Sequence, residues 1–123
     1  MATIVHFDIA ADDPKRAKEF YGELFDWEFN VYPGPAEYYL FETAGLDGKP
    51  GAGGGIAKRD DSNQGITNFI GVDSLDDYLA RVEELGGKVA LGKMTVPGWG
   101  YMAVCLDTEG NRFGLWQDDK DAK

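Results

Sequence analysis

One order of elements occurs twice in this chain, and it limits the fold more than any single residue does. Residues 3–10, Thr-Ile-Val-His-Phe-Asp-Ile-Ala, read as a strand with Val5, Phe7 and Ile9 on one face and His6 and Asp8 on the other. Asp13 and Pro14 then start a helix, with Ala17, Phe20, Tyr21 and Leu24 at helical spacing. Trp27 to Tyr32 and Glu37 to Thr43 read as strands about the turn Pro33-Gly34-Pro35. Residues 44–55 read as a glycine-rich loop, with a short edge strand from Gly55 to Lys58. After the polar stretch 59–65 the order begins again. Residues 66–72 read as a strand, and Ser74 with Asp77 as a capping box. Leu75, Tyr78, Leu79, Val82 and Leu85 form a helical stripe, stopped by Gly86-Gly87. Lys88 to Leu91 is a short strand, and Tyr101–Leu106 with Arg112–Gln117 a hairpin about residues 107–111. A 61-residue shift brings Ile9 onto Ile70, Asp12 onto Asp73, Glu23 onto Glu84 and Leu24 onto Leu85. The expectation is a single domain, residues 1–123, of two half-modules near 1–58 and 66–118, each strand-helix-strand-strand-strand.

Composition narrows the function. A chain of 123 residues holds one core. Its single cysteine, Cys105, excludes an internal disulfide, and one Cys with one His cannot make a zinc site of those residue types alone. Twenty-two acidic against 12 basic residues give a net charge of -10, which disfavours nucleic acid and anionic membranes and favours a neutral or cationic small molecule. No apolar run reaches the ~20 residues of a membrane span. No secretory start is visible, so the cytoplasm is the expected compartment.

Three segments together resemble the glyoxalase / bleomycin-resistance / dioxygenase superfamily, the vicinal oxygen chelate proteins. They are Val5-His6-Phe7-Asp8-Ile9 running into Asp12-Asp13-Pro14 and Leu24-Phe25-Asp26-Trp27; Val72-Asp73-Ser74-Leu75 leading to Val82-Glu83-Glu84-Leu85-Gly86-Gly87; and Asp107-Thr108-Glu109-Gly110-Asn111-Arg112-Phe113-Gly114. The chain looks most like the glyoxalase-like subgroup of unknown substrate. The resemblance implies an α+β fold of two βαβββ half-modules, forming a cupped mixed sheet with helices on the outer face and the ligand inside. It also implies a homodimer.

Metal-using relatives hold one divalent ion at four positions, in the first and last strand of each module. Carried over, these fall on His6, Thr67, Gly114 and a position within Gly53–Gly55, so only His6 is a good ligand. No cofactor is therefore expected, with a divalent metal at His6 as the alternative, either at the family position or shifted onto His6, Asp8 and Glu42. Asp8 is also placed to pair with the His6 ring. The pocket candidates are His6, Asp8, Thr67, Trp99, Tyr101, Cys105, Arg112, Gly114 and Trp116. Val104, Leu106, Phe113 and Leu115 are expected on the helix side of the last hairpin, and Tyr101, Ala103, Cys105, Arg112, Gly114 and Trp116 on the other. Residues 94–101 read as a loop able to place Trp99 as a lid. The expected function is binding of a small organic ligand without the family metal. The alternative is a metal-dependent lyase, isomerase or dioxygenase of glyoxalase type, so whether the protein is an enzyme is left open.

Overall fold

A computed structural model describes residues 2–60 and 65–123; part of the polar stretch 59–65 thus lies outside the described residues. The described elements are β1 (Thr3–Ala11), α1 (Pro14–Phe25), β2 (Asn30–Val31), β3 (Tyr38–Ala44), β4 (Pro50–Lys58), β5 (Ile66–Gly71), α2 (Leu75–Glu84), β6 (Lys88–Val96), β7 (Gly100–Leu106) and β8 (Arg112–Asp118). The fold is mixed α+β, and the repeated order read from the sequence is present. Two compact bodies form, one from Val5–Ile66 and the other from residues 2–4 with 67–123.

In the first body the strand order is β2-β3-β4-β1, with β3 antiparallel to β2 and β4, and β1 parallel to β4. Asp13 caps α1, its Oδ1 accepting from the Arg16 N–H at 3.2 Å, a contact type worth about 1 kcal/mol. Ala17 and Tyr21 of α1 pack with Phe7, Trp27, Phe29 and Tyr39 onto buried Ile9, Ala11, Phe41 and Ile56. The second body repeats the order as β6-β7-β8-β5, with β5 parallel to β8. There Ser74 Oγ accepts from the Asp77 N–H, and Leu75, Leu79 and Val82 pack over Ala103, Cys105 and Leu115.

Three expectations change. The glycine-rich segment is strand, not loop: β4 starts at Pro50 and lies between β3 and β1 rather than at an edge. Glycine is tolerated there because neighbouring rings occupy the side-chain space. A Cβ on Gly54 would collide with the tip of the Phe41 ring, and one on Gly55 with the hydroxyl end of the Tyr38 ring. The expected lid is a tight turn, because β6 runs to Val96 and β7 begins at Gly100. The Gly98 N–H donates to Ala122 O, and the Asp119 N–H to Trp99 O, which ties that turn to the C-terminal residues.

The third change concerns faces. Ala103 pairs with Leu115, and Cys105 with Phe113. Directly opposed residues of an antiparallel pair share a face, so Tyr101, Ala103 and Cys105 lie on the α2 side, contrary to expectation. The cause is the hairpin's closing pair, Leu106 with Arg112, which sets the parity of both strands.

That hairpin is held by Asp107. Its Oδ1 accepts from the N–H groups of Glu109 and Asn111, both at 2.8 Å, and Gly110 takes a φ of 82°. The hydrogen bond from Asn111, reinforced by those from Glu109 and Gly110, holds the Asp107 carboxyl below its usual range. A depressed carboxyl contributes stability that is complete above its unfolded pKa of about 3.9 and is lost as pH falls through the lower folded value. Asp107→Ala should therefore melt below wild type at neutral pH, with the gap closing on acidification below about pH 4; melting curves across pH 2–7 check this.

Candidate functional site

Strand alternation sends His6 and Asp8 of β1 to the sheet face opposite α1, as the sequence predicts. Pairing sets their neighbours. Crossing β1, β4 and β3, one row reads His6, Gly53, Glu42, the next Asp8, Gly55, Leu40, and the third Ala10, Ala57, Tyr38. Tyr38 thus starts a full strand away from β1. Its side chain reaches Asp8 by lying across Gly55, which has no side chain to block it.

The result is a closed polar triangle. The Tyr38 hydroxyl donates to Asp8 Oδ1 at 2.6 Å. His6 Nε2 lies 2.8 Å from the same oxygen and 3.0 Å from the Tyr38 hydroxyl. Burial, then the charge and hydrogen bond of Asp8, then Tyr32, push the Tyr38 phenol far above its ordinary range, so it stays protonated. The Tyr32 ring meets Tyr38 edge-on, with centroids 5.8 Å apart. His6 and Asp8 keep 27% and 30% of their side-chain surface exposed, so this arrangement is only part-buried. On the α1 side of the same sheet, a separate shallow recess is lined by residues including Asp12, Arg16, Phe20 and Arg59.

The remaining candidates belong to the second body. Thr67 is 3% exposed on β5, and Gly114 of β8 pairs with Phe69, whose ring fills the space a Gly114 side chain would need. Arg112 is exposed at the hairpin mouth, and Trp116 donates its Nε1–H to Asp118 at 2.7 Å. Trp99 is 59% exposed on its turn. Tyr101 and Cys105 are corrected: both pack in the α2-side core, where burial raises the Cys105 thiol pKa. Neither Tyr38 nor Gly55 is among the pocket residues that the sequence suggests. The alternation of β3 and the glycine run are visible there, but the register linking β3 to β1 through β4 is not.

A sequence profile of the Glyoxalase/Bleomycin resistance protein/Dioxygenase superfamily matches residues 3–115. The chain belongs to this superfamily. It is 29% identical over 123 residues to the Mycobacterium bovis protein named "Putative glyoxylase CFP32", covering 92% of this chain and 44% of that one. The chain therefore spans less than half the length of that relative. Among solved structures, a hypothetical protein of Bacillus halodurans superposes with a TM-score of 0.72 at 16% identity, over 99% of this chain and 98% of its own. A methylmalonyl-CoA epimerase in complex with methylmalonyl-CoA superposes with 0.72 at 15% identity, over 100% and 99%. At these identities the likeness is one of fold.

Membership of the glyoxalase superfamily raises the question of a divalent ion, and the donor chemistry here does not fit one. Gly114 and Gly53–Gly55 have no side-chain donor, and Thr67 offers one hydroxyl. His6 directs Nε2 into hydrogen bonds with Asp8 and Tyr38. Among the described residues no group of three or more His, Cys, Asp or Glu could hold a metal, the shifted set of His6, Asp8 and Glu42 included. Restoring a carboxylate makes a direct check. Gly114→Glu should gain no metal affinity by calorimetry and should lose roughly 1–3 kcal/mol in chemical denaturation, because its Cβ overpacks Phe69.

Proposed function

We propose that this member of the glyoxalase superfamily binds a small organic ligand on the sheet face carrying His6, Asp8 and Tyr38, without the family's divalent ion. The observation that carries the reading is the triangle itself. The chain's one imidazole points its ε nitrogen at a carboxylate and a phenol, with both groups part-buried and still reachable. Polar groups so arranged fix a ligand's orientation, while Tyr32 and Tyr38 offer aromatic surface. The acidic charge of -10 favours neutral or cationic ligands in a compartment such as the cytoplasm, and gives no footing for nucleic acid. Among the described residues no helix is long and apolar enough to cross a membrane.

The test is a titration of a panel of neutral and cationic organic compounds, followed through the ring signals of His6. At least one compound should shift them saturably, and Asp8→Ala should weaken that compound by about 1–3 kcal/mol, the cost of removing a charged hydrogen-bond partner. A panel that binds with the His6 signals unmoved, or not at all, counts against this site.

The proposed assembly is a twofold homodimer. The relative of more than twice this length has room for a second module pair in one chain, and a second copy would supply the equivalent here. Light scattering should return twice the chain mass of 13.5 kDa; a monomer at micromolar concentration contradicts it.

A further inference from the structure

The two helices carry opposite charges at equivalent places. The 61-residue shift that brings Leu24 onto Leu85 also brings Lys15 onto Asp76 and Arg16 onto Asp77. Residues four apart on a helix share a face, so Arg16, Phe20 and Leu24 form one ridge of α1, and Asp77, Arg81 and Leu85 the matching ridge of α2. On α2 the first-turn acids suit the helix dipole, which favours anions at its N-terminus. On α1 the dipole opposes Lys15 and Arg16, and that first turn holds no acid. Local helix energetics therefore account for Asp76 and Asp77, but not for the cations of α1.

Both ridges are uncovered. Phe20 and Leu24 are each 59% exposed, and Leu85 is 64% exposed. Arg16 and Asp77 are exposed, and neither side chain has a hydrogen-bond or ion-pair partner among the described residues. Arg81 holds Glu84 at 2.9 Å through one guanidinium nitrogen and is otherwise open to solvent. A guanidinium held at its edge still offers its flat face to an aromatic ring.

The charge balance says what fits there. Two copies at -10 each repel, so a contact between them needs opposite charges set face to face. We propose that the occupant is a second copy of this chain: α1 of one protomer docks on α2 of its partner, ridge against ridge, and a twofold axis repeats the contact. Arg16 meets Asp77 of the partner subunit, the Phe20 ring stacks on Arg81 of the partner subunit, and Leu24 packs on Leu85 of the partner subunit. This rests on the proposed homodimer and names its contact. The cations of α1 then stand where the partner's acids, rather than their own helix, favour them.

The experiment is sedimentation equilibrium on the full chain and its charge-reversed variants, with circular dichroism to check the fold. Arg16→Asp and Asp77→Arg each set like charges together at both copies of the contact, and each should weaken self-association by roughly tenfold or more. Mixed in equal amounts, the two variants bring opposite charges together at both contacts and should form a heterodimer of near wild-type affinity. Both reversals in one chain should likewise restore the homodimer. Leu24→Asp should be a folded monomer. A wild-type monomer overturns this contact and the homodimer together. A wild-type dimer that tolerates either reversal or Leu24→Asp, or that neither the mixture nor the combined reversal recovers, overturns this contact alone and leaves the homodimer to some other surface.

Discussion

Three side chains are missing from the middle of β4, and the first body of the protein is arranged around that gap. Gly54 yields its volume to Phe41, whose ring stacks on Trp27 with centroids 4.4 Å apart and meets Phe7 edge-on at 5.5 Å. Gly55 yields the opposite face to Tyr38. A run of glycines costs conformational entropy in a strand. Here the cost is offset by aromatic burial on one face and by a three-way hydrogen-bonded cluster on the other. Adding one Cβ at either position would force a ring out, and the two consequences differ: loss of core at residue 54, loss of the polar triangle at residue 55.

The same gap bears on the proposal that the chain works without its superfamily's divalent ion. The resemblance carries one ligand position of metal-using relatives onto Gly53–Gly55, in the last strand of the first module. Tyr38 uses the space left there to reach Asp8. The His6 imidazole meets a carboxylate and a phenol. Gly114 follows a parallel logic in the second body, where Phe69 fills the side-chain volume. At both last-strand positions a ring occupies the side-chain volume, which supports the proposed hydrogen-bonding site over a chelating one.

Much of this architecture is legible in local signals. The caps at Asp13 and Ser74, the stop at Gly86 and the alternation of β1 are nearest-neighbour effects, and each appears where the pattern puts it. What is not legible depends on partners distant in sequence. Propensity disfavours strand for Pro-Gly-Ala-Gly-Gly-Gly, and only the rings of Phe41 and Tyr38 make β4 sensible. The faces of Tyr101 and Cys105 turn on one pair, Leu106 with Arg112. For the candidate site, His6 with Asp8 is readable because both lie on one strand two residues apart. Tyr38 is not, since its contact with them crosses an intervening strand.

The central claim is that His6 is committed to hydrogen bonds with Asp8 and Tyr38 rather than to a divalent ion. The most direct measurement is a titration of zinc, nickel and manganese ions into the chelator-stripped protein, followed by the ring resonances of its one histidine. The expected result is no saturable change in those resonances through the first molar equivalent of any of the three ions. A saturating shift or broadening of the His6 ring at one equivalent would contradict it.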